Sequence, residues 1–317
     1  MSKVTIVIPN YNGIEFMDEC LTRLTNQDYT DFCVIVVDNG SKDGSVETTL
    51  TYKERLDLST ICFEKNTGFS VAVNAGIKAS KSEYVILLNN DAYVRENFVS
   101  ELVKKMDSDE RIFSAQALML QNGNPDKVDS AGDYFSAMGW GFSRGKDKDV
   151  SYYTEDFEIF SSCAGAAIYR KNILDEIGYF DEEFFAYLED MDLGYRARLK
   201  GYINVLASKA IVYHVGSAST GSRHNSFKVK ISSRNSFLVM YKNFAAWQWI
   251  VNMPLIGFGC LVKLIFFGRK KMAKDYTSGI REYSKYKNKV TKTVPVKGIR
   301  AKLQLKLIKN CFLRIIK

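Results

Sequence analysis

The stretch VILLNNDAYV, residues 85–94, decides how the first part of this sequence folds. Its first four residues continue an apolar run from Tyr84 that has the length of a buried β-strand. Polarity then changes abruptly at Asn89, Asn90 and Asp91. A buried strand that ends in a carboxylate predicts a site just beyond its carboxyl end.

Three more apolar runs precede this strand, and each also ends in polar or turn residues. The runs are VTIVIP, CVIVVD and TICFE, and amphipathic stretches separate them. Strands that alternate with helices indicate βαβ units and a parallel sheet, whose ligand site lies beyond the carboxyl ends of the strands. We therefore expect four polar clusters to line one site: residues 10–13, 38–41, 65–68 and 89–91.

The composition limits the class of protein. The chain has 317 residues, 46% of them apolar, which is enough for one large domain or for a domain with an appendage. Its six cysteines lack CxxC or metal-finger spacing, so we expect free thiols in a reducing cytosol. The first residues enter a strand without an apolar signal segment, which predicts that the protein meets cytoplasmic substrates.

Positive charge is concentrated at the C-terminal end. The chain carries +8, but residues 269–317 hold sixteen lysines and arginines against two acids. That segment contributes 16 − 2 = +14, which leaves 8 − 14 = −6 for residues 1–268. Such a basic segment could meet either a nucleic acid or an anionic membrane.

The residues before this basic segment favour a membrane. Residues 244–268 are apolar and aromatic, with interruptions at Gln248, Asn252, Pro254 and Lys263. Because a transmembrane helix needs about 20 apolar residues, we expect two short helices lying in the interface rather than one span. The basic residues would then face an anionic membrane surface, and no nucleic acid partner is expected. A helical subdomain packed on the first domain is the alternative interpretation, and the two are compatible.

A second acidic group follows an aromatic run, in YFDEEFFAYLEDMD at residues 179–192. Glu189, Asp190 and Asp192 begin a predicted helix that ends near Lys200. Acids at a helix start are commonly only partners of the helix dipole. Three acids in four residues exceed that need, although Asp192 could simply cap the helix or pair with Arg196.

Together these motifs resemble the nucleotide-sugar-dependent glycosyltransferases of family two, which have the A-type fold. Six stretches match in the family's order: VTIVIPNYNG, VIVVDNGSKDGS, NTGFSVAVNAGI, YVILLNNDAYV, GYFDEEFFAYLEDMDLGYRARLKGY and VYHVGSAS. The nearer likeness is to the rhamnosyltransferase-like branch of bacterial surface polysaccharide synthesis. The resemblance implies an α/β, Rossmann-like nucleotide-sugar transferase fold with a mixed central sheet. Residues 1–222 would form the catalytic domain, and residues 223–317 a helical, basic, amphipathic, membrane-associating region.

The resemblance also implies the residues that bind the donor. Those expected to bind the nucleotide are Pro9, Tyr11 and Asn12 beside the base, Asp38 at its ring N–H, and Asn66, Gly68, Asn74 and Asn90 nearby. Asp91 occupies the last position of the family's D-x-D motif, which implies a divalent metal, Mn²⁺ or Mg²⁺, on the donor diphosphate. Asn89 and Asn90 stand where many members carry another acid. His214 is implied as a further metal ligand, although a lone histidine after an apolar strand is often structural.

For catalysis, the resemblance assigns the base to Asp190, with Glu189 shaping the acceptor pocket and Arg234 as a possible phosphate contact. The implied function is inverting sugar transfer at the cytoplasmic face of the cell membrane, from a nucleotide sugar to a lipid-linked or growing cell-surface glycan. Rhamnose from dTDP-rhamnose is the first expectation. A glycosidase would also use two carboxylates, but it needs neither a strand-end metal loop nor a base-stacking tyrosine. The missing acid at Asn89 and Asn90 leaves a catalytically idle nucleotide-binding or scaffold protein as the alternative.

Overall fold

A computed structural model describes residues 2–216 and 225–316, with side chains described as far as Leu313. The predicted domain boundary at residues 222 and 223 lies outside the described residues. The same holds for residues 217–219, the end of the VYHVGSAS match.

Twelve strands occur among the described residues: β1 (Val4–Asn10), β2 (Phe32–Asp38), β3 (Leu58–Cys62), β4 (Tyr84–Leu88), β5 (Ala92–Val94), β6 (Ile112–Gln121), β7 (Asn124–Ser130), β8 (Asp133–Phe135), β9 (Gly141–Ser143), β10 (Glu158–Ile159), β11 (Ala166–Arg170) and β12 (Ile203–His214). The α-helices in the same part of the chain are α1 (Ile14–Thr25), α2 (Ser45–Leu50), α3 (Phe69–Ala79), α4 (Phe98–Asp107), α5 (Lys171–Ile177), α6 (Glu189–Leu199), α7 (Ser226–Asn243), α8 (Ala246–Arg269), α9 (Ala273–Tyr286) and α10 (Ile299–Ile316).

The central sheet is mixed. Its order is β10-β12-β6-β11-β4-β1-β2-β3, with β5 added on β12 and β7 on β6. Strands β1 to β4 run parallel, whereas β11 is antiparallel to both β4 and β6. Asn10 and Asp38 are register partners, so the polar ends of β1 and β2 meet at one edge. The predicted α/β fold with a mixed central sheet is confirmed.

Both faces of the sheet are buried, which explains the near-continuous apolar runs. Ile6 and Ile8 pack on one face with residues of α1 and α4. Val7, between them, packs on the other face with residues of α3, α5 and α6. This alternation follows from the two-residue period of a strand, and it fixes the strand ends that carry the site.

The C-terminal helices pack on this domain through a separate core. That core joins α6, the β8–β9 hairpin, α7 and α10 through Phe135, Tyr195, Phe244 and Leu307. The helical subdomain that the sequence left as an alternative is therefore present.

The prediction of two short helices in residues 244–268 is wrong, because α8 is one helix of 24 residues with Pro254 inside it. Its buried polar side chains, Gln248 and Asn252, bond to Gln304 of α10 and do not interrupt the helix. At 1.5 Å per residue it is about 36 Å long, against about 30 Å for a bilayer core. By length and composition, α8 is one candidate membrane span among the described residues.

Candidate active site

A large cavity lies where β1 and β4 end. Its volume is about 1000 Å³, and we call it the strand-end cavity. The two strand ends form one wall, and the first turn of α6, the β8–β9 hairpin and the start of α7 form others. Nine of the predicted residues line it: Pro9, Tyr11, Asn66, Gly68, Asn90, Asp91, Glu189, Asp190 and His214. The structure thus brings candidate nucleotide, metal and catalytic side chains into one cavity.

The other four predicted residues, Asn12, Asp38, Asn74 and Arg234, are not in the lining. Asp38 is buried beside it and accepts hydrogen bonds from the Asn10 side chain at 2.8 Å and from two backbone N–H groups of the following loop. The Asn12 side chain accepts from the backbone N–H of Lys42 at 3.0 Å. These contacts shape the loops after β1 and β2.

Asn74 and Arg234 hold the aromatic run that precedes the acids. The Asn74 amide donates to the Phe180 carbonyl at 2.8 Å and accepts from the Phe180 N–H at 3.1 Å. Arg234 donates to the Phe184 carbonyl at 2.8 Å, and its guanidinium lies over the Tyr286 ring at 4.2 Å. These contacts place Arg234 outside the cavity lining, and its phosphate contact stays a prediction.

Gly68 lines the cavity and packs against the same aromatic run. Its φ is 93°, a conformation that side chains disfavour. A Cβ built there would lie 2.6 Å from the Phe185 ring, and the next backbone N–H, of Phe69, donates to the Phe185 carbonyl at 2.7 Å. Only glycine fits this approach without displacing the aromatic ring.

Asn90 takes part in a hydrogen-bond chain across the strand ends. Its amide donates to the Asn10 side-chain oxygen at 2.8 Å, and Asn10 in turn donates to Asp38 at 2.8 Å. An ionised aspartate at position 90 would have no N–H to give to that oxygen. Asn90, in place of an acid, thus links the end of β4 to the ends of β1 and β2. Asp91 is then the one carboxylate of residues 89–91.

Asp91 and His214 face each other because β5 and the end of β12 are antiparallel neighbours, with His214 opposite Ala92. The distance from His214 Nε2 to Asp91 Oδ1 is 3.4 Å. The other ring nitrogen, Nδ1, lies 2.8 Å from Asp129 Oδ2, and Lys146 pairs with Asp129. Burial works to lower the pKa of His214, but the two carboxylates outweigh it and raise the pKa to about 9.

Sequence reasoning missed Asp129 and a second acid, Asp133. Both belong to KVDSAGD, residues 127–133, in a β-rich segment that carried no recognised motif. Asp129 lies near the end of β7 and orients His214, while Asp133 begins β8 and lines the cavity. Two acids four residues apart in a strand-rich segment were the available signal.

Asp190 is held by the first turn of α6. Its carboxylate accepts from the Met191 N–H at 2.7 Å and the Ala164 N–H at 3.3 Å. The helix N-terminus also favours negative charge here. These donors stabilise the ionised form, although burial raises the pKa of Asp190 above its ordinary value.

Glu189 is buried and Asp133 is half-buried next to this carboxylate. Burial, and then the charge of Asp190, raise the pKa of both groups well above their ordinary values. Glu189 Oε2 has no hydrogen-bond partner among the described residues. The charge of Asp190 thus contributes to the raised pKa of both neighbours, whereas the two N–H donors of Asp190 favour its own ionised form.

Backbone strain positions these acids. Phe185, Tyr187 and Leu188 have φ values of 65°, 67° and 68°, which non-glycine residues rarely adopt. The Asn235 amide donates to the carbonyls of residues 184, 186 and 187 at 2.7 to 3.0 Å, so α7 holds the strained turn in place. Strain of this kind persists only where surrounding contacts over-determine it, and it concentrates at functional sites.

Comparison of the sequence with protein families identifies the family of this chain. The family model described as Glycosyl transferase family 2 matches residues 5–178, more than half of the chain. The chain belongs to glycosyl transferase family 2. The predicted family is confirmed, and the protein is a glycosyltransferase. The match includes Asp91 but ends before Asp190 and His214, whose placement rests on the geometry above.

Relatives of this family 2 glycosyltransferase include bacterial enzymes. Uncharacterized glycosyltransferase YwdF from Bacillus subtilis (strain 168) is 25% identical over 255 residues, which cover 77% of this chain and 88% of the relative. Chondroitin synthase from Pasteurella multocida (strain Pm70) is 25% identical over 240 residues, 67% of this chain. The aligned part is 24% of the length of chondroitin synthase.

Solved structures share the fold of this family 2 enzyme. S. aureus TarS 1-349 in complex with UDP-GlcNAc matches with a TM-score of 0.52 at 20% identity, over 89% of this chain and 92% of that one. Mannosyltransferase PcManGT from Pyrobaculum calidifontis, in complex with GDP-Man and Mn²⁺, matches with a TM-score of 0.56 at 14% identity. That match covers 98% of this chain and 81% of the mannosyltransferase.

Two groups of side chains in the family 2 enzyme could hold a metal. Asp91 and His214 offer an oxygen and a nitrogen, and Asp129 fixes the ring so that Nε2 faces Asp91, as an outer-shell carboxylate does in many metal sites. Asp133, Cys163 and Asp190 also place ligand atoms within 4.8 Å of one another. Burial, and then nearby carboxylates, raise the pKa of the Cys163 thiol well above its usual value, which disfavours the thiolate that binds metal. The Asp91–His214 pair therefore fits a divalent metal better than the group with Cys163 does.

Residues 141–145 of the enzyme read GFSRG, which matches the GxSxG pattern of hydrolase nucleophiles. In those enzymes the serine lies on a sharp turn from a strand into a helix. Here Ser143 ends β9, a strand of a two-stranded hairpin, and the next helical turn begins at Val150. The structure lacks the strand-to-helix elbow at this serine, so the pattern gives no support to a hydrolase.

Proposed function

We propose that this family 2 glycosyltransferase transfers a sugar, with inversion, from a nucleoside diphosphate donor to an acceptor hydroxyl. The observation that carries the proposal is the strand-end cavity. It holds the Asp91–His214 pair together with Asp190, whose carboxylate accepts from two backbone N–H groups, and with the neighbouring acids Glu189 and Asp133. A panel of nucleotide sugars tested for turnover and thermal stabilisation, with Mn²⁺ present, would identify the donor.

The proposed roles follow from the charge of each group. Asp190, ionised and held by two N–H donors, would take the proton from the attacking hydroxyl, which must lie within about 3 Å. The raised pKa values of Glu189 and Asp133 favour their neutral forms, in which each would donate a hydrogen bond to a substrate hydroxyl. Asp91 and His214 would hold the divalent metal, which supplies positive charge to the departing diphosphate.

The donor sugar proposed first is rhamnose from dTDP-rhamnose, which rests on the motif resemblance. TarS in complex with UDP-GlcNAc and the mannosyltransferase in complex with GDP-Man share this fold, so those two donors are the next to test. The proposed acceptor is a lipid-linked or growing cell-surface glycan at the cytoplasmic face of the membrane. The apolar helix α8 and the +14 charge of residues 269–317 support that location.

A catalytically idle nucleotide-binding protein is the second candidate. It is favoured by Asn89 and Asn90, which stand where many family members carry another acid. Calorimetry that shows nucleoside diphosphate binding, together with no sugar turnover across the donor panel, would support it over the transferase.

Binding of Mn²⁺ should tighten as pH rises. His214 has a pKa of about 9 and must lose its proton before it binds metal. We expect the affinity measured by calorimetry to rise about tenfold per pH unit between about pH 6 and pH 8. In Asp129→Asn the pKa of His214 should fall toward about 6.5. The affinity for Mn²⁺ should then change little with pH above about pH 7.

Asp126→Asn is the control for this experiment, since Asp126 is an exposed acid on the same strand, β7. It should keep the wild-type slope. A pH-independent affinity in the wild type, or an unchanged slope in Asp129→Asn, would remove His214 from the metal site.

Tyr11→Ala should weaken nucleoside diphosphate binding by about tenfold. The Tyr11 side chain is 44% exposed at the cavity, where a base can stack on it. Stacking of a base on an aromatic ring is worth about 1–3 kcal/mol, and about 1.4 kcal/mol is tenfold. Calorimetric titration measures the change, with Tyr152→Ala, an exposed tyrosine outside the cavity lining, as control. Equal affinity in wild type and Tyr11→Ala would place the base elsewhere.

A further inference from the structure

The polarity of α8 is inverted. Its buried positions include the polar residues Gln248 and Asn252, together with Ile256 and Gly259. Its exposed positions carry large apolar side chains: Trp247, Ile250, Val251, Met253, Phe258, Leu261, Val262, Leu264, Ile265 and Phe266. A helix at a water-facing surface shows the opposite pattern. An exposed apolar face of this extent marks an interaction surface.

The buried polar side chains of α8 form hydrogen bonds inside the protein. Gln304 of α10 accepts from Gln248 at 2.9 Å and donates to Asn252 at 2.6 Å. These three amides are buried and satisfy one another. The outward face is therefore left to the apolar residues, which suit the hydrocarbon edge of a bilayer.

Charge at the end of α8 identifies the occupant as an anionic membrane. The helix ends at Arg269, and Lys270, Lys271 and Lys274 follow at once. Each cation near an anionic leaflet contributes attraction, and these flank the apolar face as in interfacial helices.

Lys263 continues the protein-facing stripe of α8. The stripe runs through residues 248, 252, 256 and 259, and the next position at helical spacing is 263. Unlike the exposed Val262 and Leu264 beside it, Lys263 lines the strand-end cavity. Its ammonium lies 5.3 Å from the centre of the Trp140 ring.

The hairpin that carries Trp140 also carries part of the acceptor side of the cavity. A Cβ at Gly259 would lie 3.0 Å from both Met138 and Trp140, so α8 and the β8–β9 hairpin are in close contact. Asp133, in the same hairpin, has its carboxylate within 4.8 Å of a carboxylate oxygen of Asp190. The lipid-facing helix thus presents one cation to the cavity that contains the proposed base.

We propose that Lys263 binds the diphosphate of a polyprenyl-diphosphate-linked acceptor, where the membrane face of α8 meets the strand-end cavity. This rests on the proposed function and names its acceptor class. A lipid diphosphate stays at headgroup level while its sugar enters the cavity, and Lys263 is on both the membrane helix and the cavity wall. An ammonium group pairs strongly with phosphate oxygens. The donor diphosphate offers the same chemistry, so the test must separate the two sources.

The test uses the full chain and flotation with phosphatidylglycerol–phosphatidylethanolamine vesicles. One set contains polyprenyl diphosphate, and the other is matched in surface charge with additional phosphatidylglycerol. We expect the wild type to bind the first set about tenfold more tightly, the ratio that one charge-assisted hydrogen bond supplies. Lys263→Met should lose this preference and still float with anionic vesicles, whereas Lys263→Arg should keep most of it.

Lys270→Met is the matched control, because Lys270 lies at the end of the same helix and outside the cavity lining. It should retain the preference. The proposal is overturned if the wild type shows no preference or does not float, or if Lys263→Met keeps the preference. Weaker binding of free nucleoside diphosphate by Lys263→Met would assign the lysine to the donor and also overturn it. Nucleoside diphosphate affinity and donor turnover of the wild type test the proposed function separately.

Discussion

Asp190→Asn should lower the turnover number about a thousandfold while nucleoside diphosphate affinity changes by less than about threefold. The substitution keeps the size of the side chain and removes the charge that accepts the proton. The Asp190 carboxylate accepts hydrogen bonds from the N–H groups of Ala164 and Met191, and these donors favour its ionised form. Steady-state kinetics with the donor found in the panel, at saturating Mn²⁺, measures the loss.

Glu189→Gln provides the contrast. Burial and the charge of Asp190 raise the pKa of Glu189 and so favour its neutral form. Glutamine is also neutral and can donate a hydrogen bond, so the rate should fall less than about tenfold. Wild-type activity in Asp190→Asn, with a large loss in Glu189→Gln, would reassign the base to Glu189. Burial raises the pKa of Asp190 above the value of about 3.9 for an ordinary aspartate. The wild-type rate should therefore begin to fall, as the pH is lowered, at a higher pH than it would with an ordinary aspartate as the base.

The strands and their polar ends were predictable because they depend on local pattern. The sheet buries three apolar runs whatever their neighbouring strands are: VTIVIP, CVIVVD and YVILL. Because the strands are parallel, their carboxyl ends lie at the same edge. The mixed part of the sheet depends on distant partners, such as β12 with β6. Asp129 was missed for the same reason: it gains a function only when β7 brings it to His214, 85 positions later in the chain.

Asn74 and Arg234 have backbone contacts that the sequence does not reveal. Asn74 and Arg234 are polar residues in matched motifs, yet both are buried and bond to backbone carbonyls of residues 180–184. The prediction of two short helices in place of α8 was wrong because the sequence does not show which partners its polar side chains have. Gln248 and Asn252 were taken as breaks in an apolar segment, but a partner 52 positions after Asn252, Gln304, satisfies them inside one continuous helix.

The acids of α6 separate into two roles by their partners. Asp190 faces the cavity, whereas Asp192 is fully buried and turned toward α7. Asp192 pairs with Arg196 at 2.8 Å and with Lys242 at 2.8 Å, and it accepts from Asn243 at 2.9 Å. This ion network joins the first turn of α6 to α7, the helix that holds the strained turn. The site therefore depends on a carboxylate that does no chemistry.

Asp192→Ala should lower the free energy of unfolding by about 3–5 kcal/mol, the cost of leaving buried charges without their partner. Urea unfolding followed by circular dichroism measures it. Asp175→Ala removes an exposed partner of Lys171 and should cost less than about 1 kcal/mol. Equal small losses in the two variants would show that Asp192 does not hold α6 to α7.

The difference in free energy of unfolding between wild type and Asp192→Ala should depend on pH in a definite direction. Burial opposes the charge of Asp192, but Lys242 and Arg196 prevail and lower its pKa below the ordinary value. A carboxyl group with a depressed pKa contributes stability above its unfolded pKa of about 3.9 and loses it as pH falls through the folded pKa. The gap between wild type and Asp192→Ala should therefore be constant near neutral pH and shrink below about pH 4. A gap that instead widened on acidification would mean that the neutral carboxyl, and not the ion pair, stabilises this contact.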